Sequence, residues 1–402
     1  MKDTQNENID CIIVGGGIVG LTTAFEYLKT FPNNKLLILE KESEIFCHQS
    51  GRNSGVIHSG IYYKPGTFKA KNCIEGYRLL IDFATQNNIP FEITGKLIVA
   101  LDENQIKSLK KLYQYGVSNG LKDIKLLNKE QALRIEPYCE NVLQALYVPQ
   151  AGIIDYISLG KRLLEIIQEK GAKTFFNACV SKIEKMKSDK IVSTNIGNFS
   201  SRKVVLCTGV FSDKFLSDSL KKKYRIIPFK GEYFYLKSSA AKYVRGLIYP
   251  APNLNFPFLG VHLTKTISKK VEAGPNAVLS FSRDNYKKFS FKPYDFYKII
   301  SWIGFWKFSK KFWKIGFYEY YRSFSKSEFT RSVQKLIPAL RKNNLKLGKS
   351  GIRAQILTSD GELFDDFLVD NNNEIYNVVN APSPAATASF AIARGIINHM
   401  KN

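Results

Sequence analysis

A glycine-rich turn between two short apolar strands limits the fold of this chain more than any other feature. Cys11–Val14 reads as a buried strand and GGGIVG follows at Gly15–Gly20. From Ile18 to Thr30, apolar residues recur at helical spacing through Leu21, Ala24, Phe25 and Leu28. KLLILE then gives a second buried strand that ends on Glu40, twenty residues beyond Gly20. Each part has a physical task in holding a dinucleotide. Gly15 permits the tight turn, Gly17 lets a pyrophosphate approach the backbone, and Gly20 allows close packing of helix on strand. The helix N-terminus offers partial positive charge, and Glu40 stands where an acid accepts ribose hydroxyls. An isolated GxGxxG says little, but strand, helix, second strand and acid are here in register.

A nicotinamide-binding unit would continue with another βα repeat after Glu40. Residues 46–65 instead form a Gly/Ser-rich loop, including SGRNSGVIHSGIYYKP at 50–65, without helical period. Such a loop can lay backbone N–H groups against a flat conjugated ring and hold the imidazole of His58 over it. The pattern favours FAD over NAD.

With 402 residues the chain can bury a large core, most simply in two domains. The six cysteines form no CxxC and mostly sit among apolar residues, which is the usage of a reduced, cytosolic protein. MKDTQNENID at the start is too polar for a secretory signal. No apolar run approaches the roughly 20 residues of a membrane span. The 59 Lys and Arg against 35 Asp and Glu leave a net charge of +24, which suits anionic partners or reflects a generally lysine-rich composition.

Ten further stretches carry a resemblance. They are HQSGRNSGVIHSGIYYKPGTFKAK (48–71), GKLIVA (95–100), EPYC (136–139), AGIIDY (151–156), IIPFKGEYFYLK (226–237), IYPAPNLNFPFLGVHLT (248–264), GPNAVLSF (274–281), GIRAQ (351–355), DDFLVD (365–370) and NAPSPAATAS (380–389). Through them the chain resembles the D-amino acid oxidase-like flavoproteins, and among these the L-2-hydroxyglutarate dehydrogenases. The likeness runs over nearly the whole sequence and departs between 287 and 349, which is more basic and aromatic than that family suggests. It implies a mixed α/β fold: a Rossmann-like FAD-binding domain assembled from segments 1–88, 151–223 and 350–402. An antiparallel substrate sheet from 89–150 and 224–349 would be inserted between them. The sequence agrees in several places. KVVLCTGVFSD (203–213) is a strand ending in a glycine turn before a helix, Asp155 opens a helix over 156–170, and GEYFYLK and FPFLGVHLT alternate as strands do.

The same resemblance sets the expected contacts. FAD would lie against Gly15, Gly17, Ile18, Val19, Gly20, Glu40 and Lys41, the loop residues Ser50, Asn53, Ser54 and Gly55, then Val180 and Gly209, and finally Ser383, Pro384 and Ala385. Ser383 and Pro384 suit the N-cap and first position of a terminal helix, whose positive end would face charge developing on the flavin. No metal is expected.

For oxidation of a hydroxy acid, a base must take the hydroxyl proton, and imidazole titrates near neutral pH without adjustment. His58 is the candidate base or a flavin contact, and His262, mid-strand in GVHLT, is its rival or a substrate ligand. His48 and His399 read as structural or exposed. Arg353 in GIRAQ aligns with the arginine that related flavoenzymes use for a substrate carboxylate, a bidentate match that cannot lose its charge. A dicarboxylate would need a second clamp, for which Tyr62, Tyr63, Lys64, Lys230, Tyr233 and Arg283 are candidates. The alternatives are an amine or amino acid oxidase, a glycerol-3-phosphate dehydrogenase, or a flavin-binding membrane protein without turnover.

Residues 286–326 hold ten Lys/Arg, two acids, seventeen aromatics and all three tryptophans. Their longest uncharged run, at 299–306, is eight residues, too short to span a bilayer. The composition is that of an interfacial segment on anionic lipid, although Lys310 interrupts the apolar helical face. A subunit contact or buried insert is the other reading. No nucleic-acid motif accompanies the charge. With no iron–sulfur or haem spacing to carry electrons onward, the expected acceptor is membrane quinone, reached by peripheral attachment at the inner face of the cell membrane.

Overall fold

The structure, a computed structural model, describes residues 9–186, 188–252 and 259–401. Strands Ile9–Val14 and Leu36–Leu39 pair in parallel, with Val14 opposite Leu39, and helix Ile18–Thr30 crosses between them. They form the middle of an eight-stranded sheet. Gly197–Leu206 adds in parallel on the other flank of Ile9–Val14, Lys173–Phe175 joins Leu36–Leu39, and Ile375–Asn380 joins Gly197–Leu206. Val180–Lys185 and Lys190–Thr194 extend one edge antiparallel. All four residues of Leu36–Leu39 are buried, as strands covered on both faces must be.

One covering layer is helical. Ile18–Thr30, Phe68–Gln86, Tyr156–Glu169 and Ala385–Lys401 contribute to one apolar cluster with the sheet. Asp155 starts its helix as expected, its Oδ1 accepting from the N–H groups of Ile157 and Ser158 at 3.0 and 3.1 Å. At Gly76 the second and fourth of these helices touch so closely that a Cβ would overlap the Ala388 backbone.

A nine-stranded sheet stands beside the first. It runs Val278–Leu279, Tyr224–Leu236, Val271–Gly274, His262–Lys265, Leu247–Pro250, Lys96–Ala100, Gln144–Val148 and Lys125–Asn128, with Leu345–Thr358 paired along Tyr224–Leu236. Every pairing is antiparallel except that of Leu247–Pro250 with Lys96–Ala100. Val56–Ile57, Gly152–Ile154 and Phe91–Glu92 make a third, small sheet.

The helix expected after Cys207–Thr208 is a 3-10 helix, Gly209–Phe215. The long strand Leu345–Thr358 runs through position 350, so Arg353 belongs to the antiparallel sheet. Among the described residues of FPFLGVHLT, 259–264, the strand begins at His262 and continues to Lys265, one residue past the stretch; residues 256–258 lie outside the described residues. The aromatic, basic segment forms Pro293–Ile300 and the 22-residue helix Ile303–Phe324. None of the described helices is long and apolar enough to cross a membrane.

A Cβ at Gly20 would overlap the carbonyl oxygen of Gly15, whereas one at Gly395, in a helix, meets nothing within 4 Å. Gly20→Ala should therefore cost about 1–3 kcal/mol through overpacking. Gly395→Ala should gain roughly 0.5–1 kcal/mol by restricting the unfolded chain. Urea unfolding of the two variants against the parent measures both.

Candidate active site

The two large sheets enclose a cavity of about 910 Å3 whose lining begins at the glycine turn. Gly15 has φ +112°, a region open chiefly to glycine, and a Cβ there would overlap the Cys207 carbonyl. Glu40, placed by the end of strand Leu36–Leu39, accepts from Gly16 N at 2.6 Å and from Glu42 N at 2.9 Å. Ser50 Oγ accepts from Ile18 N at 2.9 Å, so a loop hydroxyl sits on the first N–H of helix Ile18–Thr30. Thr208 lines the same end, and its buried hydroxyl has no hydrogen-bond partner among the described residues. A backbone turn bare of side chains, beside an orphaned hydroxyl and a helix N-terminus, fits a dinucleotide diphosphate.

The loop that follows is tied by its own side chains. Asn53 donates to Ser50 O at 2.6 Å and accepts from Gly55 N at 2.7 Å. Val56–Ile57 then pairs with Ile153 and Gly152 and delivers His58 to the cavity. His58 N donates to Thr387 Oγ1 at 3.1 Å, and its Nε2 lies 3.4 Å from Ser383 Oγ. Burial, then the positive charge of Lys96, the neighbouring His262 and Lys69, hold its pKa well below the ordinary histidine range. The ring is neutral at pH 7 and able to receive a proton.

His262 lines the cavity as well, stacked on Tyr249 with ring centroids 3.9 Å apart. Its Nδ1 is 2.9 Å from the Gly260 carbonyl, which can only accept, so Nδ1 carries the proton and the lone pair is on Nε2. Burial pushes its pKa down to about 3; the Gly260 bond opposes this, while Lys96 and Arg353 reinforce it. Arg353 lines the cavity from its strand opposite Phe229; burial lowers its pKa, and Tyr233, Glu319 and Tyr249 oppose the shift. A guanidinium nonetheless stays charged.

Of the expected FAD contacts, Gly15, Gly17, Ile18, Val19, Glu40, Lys41, Ser50, Asn53, Ser54, Val180, Gly209, Ser383, Pro384 and Ala385 line the cavity. Gly20 and Gly55 do not: Gly20 packs against Gly15, and Gly55 turns the loop at φ +70° against the Ile154 carbonyl. Helix Ala385–Lys401 starts one residue later than read, and Ser383 turns its hydroxyl toward His58. Tyr62, Tyr63 and Tyr233 also line the cavity.

Three proposed clamps lie elsewhere. Lys64 is exposed and outside the lining. Lys230 is buried, but it donates to Lys287 O and Ser290 Oγ in the loop beside its strand. Arg283 is consumed by Asp213, by the Val210 and Ile226 carbonyls and by Asp295. Conversely, sequence reading passed over Tyr249, Lys69 and Arg52, all in the lining. Lys69 pairs with Asp365 at 2.6 Å, and Arg52 stacks 3.7 Å from the Tyr286 ring centroid. His48 is structural in kind, bridging Tyr286 at 2.6 Å and Glu42 at 2.8 Å.

Comparison with known proteins gives a consistent result. The family described as DAO, FAD dependent oxidoreductase, matches residues 10–398. An L-2-hydroxyglutarate dehydrogenase of Indibacter alkaliphilus is 45% identical over 383 residues, covering 95% of this chain and 96% of that protein. The mitochondrial L-2-hydroxyglutarate dehydrogenase of Homo sapiens is 37% identical over 418 residues, covering 100% and 90%. Among solved structures, L-alpha-glycerophosphate oxidase from Mycoplasma pneumoniae with FAD bound superposes with a TM-score of 0.80 at 23% identity, covering 98% and 95%. Glycine oxidase from Geobacillus kaustophilus gives 0.76 at 17%, with the same coverage. Identities that low establish the fold alone.

The depressed His262 pKa links the site to stability. Below its ordinary value of about 6.5 the unfolded chain binds a proton that the folded chain refuses until about pH 3. Stability should therefore fall as pH drops through that window and be unaffected above it. His262→Gln should shrink the difference in Tm between pH 7.5 and 4.5 by roughly 3 °C, read from melts of both proteins.

Proposed function

The chain belongs to the FAD-dependent oxidoreductase family, and from that premise we propose that it oxidises L-2-hydroxyglutarate to 2-oxoglutarate. It is an enzyme whose cofactor is FAD. The observation that carries the substrate is the 37–45% identity, over nearly full length, to proteins named L-2-hydroxyglutarate dehydrogenases. The cavity supports it with an arginine and two neutral imidazoles. We assign residues 1–88, 151–223 and 350–402 to the FAD-binding part and 89–150 with 224–349 to the substrate part, the strand Leu345–Thr358 joining the two.

The turn at Gly15–Gly20, Glu40, Ser50 and Thr208 would hold the nucleotide half of FAD, and the start of helix Ala385–Lys401 the flavin. When bound, FAD supplies the acceptor for the hydride leaving C2 of the substrate. Arg353 grips the carboxylate beside that carbon with its planar fork. His58, kept neutral by burial and nearby cations, takes the hydroxyl proton on Nε2. His262, whose Nε2 can likewise only accept, is the rival for that same proton. The positive end of the last helix favours negative charge arriving at its N-terminus.

We place the acceptor of the electrons in the membrane, as quinone, with the protein attached peripherally at the inner face. Helix Ile303–Phe324 and its approach expose Phe289 (79%), Phe317 (70%), Trp306 (56%) and Trp313 (54%) among lysines. Trp302 has no part in this surface: it is buried and donates to Leu357 O at 3.2 Å.

Purified enzyme should be yellow and should bleach anaerobically with L-2-hydroxyglutarate but not with its D-isomer. Bleaching by an amino acid or glycerol 3-phosphate alone would reassign the substrate. In the same assay His58→Gln should retain FAD and slow reduction by roughly two to four decades; loss of FAD at normal speed would make His58 a cofactor contact. Co-sedimentation with anionic liposomes should be strong at low salt and partly lost at high salt. Trp306→Ala with Trp313→Ala should abolish it, and a pair that still sediments like the parent removes this surface from membrane docking.

A further inference from the structure

Lys96 is a buried lysine with no carboxylate partner among the described residues. It opens strand Lys96–Ala100, is 2% exposed, and lies between Leu247–Pro250 and Gln144–Val148 in the antiparallel sheet. Its ammonium is 4.2 Å from the ring centroid of Tyr249 and 5.5 Å from that of Tyr62. Both tyrosines line the cavity, so the charge stands just behind its wall. Among the described residues no carboxylate contributes to its electrostatics; burial pushes its pKa down to about 7, opposed by the Cys73 thiol. Two lysines of the lining, by contrast, have carboxylate partners: Lys69 has Asp365 and Lys41 has Glu42.

A second unmet group faces the same place. The Tyr62 hydroxyl is buried and has no hydrogen-bond partner among the described residues. A buried hydroxyl without an acceptor and a buried ammonium without a counter-ion both cost stability, and an arriving anion lowers both costs at once. Tyr249, which carries Lys96 on one contact and His262 on another, ties this spot to the imidazoles.

We propose that Tyr62 and Lys96 form the subsite for the far carboxylate of a dicarboxylate substrate, Tyr62 donating its O–H to an oxygen and Lys96 supplying the counter-charge from behind. The assignment rests on the oxidation of L-2-hydroxyglutarate proposed above and explains how that substrate is told from a monocarboxylic 2-hydroxy acid. Arg353 holds the carboxylate common to both; Lys96 senses the one that differs. A charge pair at this depth is worth roughly 30- to 300-fold in affinity.

The test uses FAD-loaded enzyme and two unreactive ligands, glutarate and valerate, followed by perturbation of the flavin spectrum. In Lys96→Met the glutarate affinity should fall roughly 30- to 300-fold relative to valerate, and the melting temperature should hold or rise because a buried charge has gone. Equal loss of both ligands, or loss of neither, overturns the subsite. Tyr62→Phe provides the same reading if Lys96→Met fails to fold: glutarate should weaken roughly 3- to 10-fold relative to valerate, and an unchanged ratio overturns the proposal. If L-2-hydroxyglutarate leaves the parent flavin oxidised while glutarate selection still depends on Lys96, the oxidation reading falls and the dicarboxylate subsite stands.

Discussion

Everything in the nucleotide half hangs on two approaches of bare backbone to bare backbone. Gly20 lies on the carbonyl of Gly15, and Gly15 lies on the carbonyl of Cys207. The first contact sets helix Ile18–Thr30 down on its strand, and the second draws the end of Gly197–Leu206 against the same turn. With those strands in register, Glu40 arrives at Gly16 N, and Thr208 and Gly209 arrive at the cavity wall. A side chain at Gly20 would press the helix away from the turn, and one at Gly15 would press the turn away from Cys207. The site is therefore a property of the sheet, and the loop carrying Ser50 only completes it.

In the substrate half the governing quantity is charge without water. Lys96, Lys69 and Arg353 act on two imidazoles set among several tyrosines. Burial first, and then this positive potential, keeps both rings unprotonated and so able to act as bases, at a cost in stability. An anionic ligand relieves that cost, which makes affinity for carboxylates and proton-accepting ability two results of one arrangement.

Legibility followed the range of the interaction. Glycine spacing, the cap at Asp155 and the acid after Leu36–Leu39 are set within some tens of residues, and each could be read. Lys230 and Arg283 could not, because their partners stand 57 and 70 residues away at Lys287 and Asp213. A buried lysine reads alike whether it props a loop or serves a ligand. Lys96 did carry a signal, a charge at the head of the apolar run LIVA, but its meaning depends on Tyr62 and Tyr249 from two other segments. Ser383 has a cap's sequence, but its hydroxyl lies 3.4 Å from His58 Nε2.

The hydrogen bond from His58 N to Thr387 Oγ1 spans 329 residues, and that from Thr22 Oγ1 to Ser389 O spans 367. During synthesis at about 5–20 residues per second, the histidine loop waits roughly 15 to 65 s before the segment that fixes it has been made. Through that interval the first βαβ unit also lacks the helix that covers it, and its apolar face is open to other chains. The cofactor site therefore cannot be fixed until Thr387 and Ser389 have been made, however early its glycine turn forms.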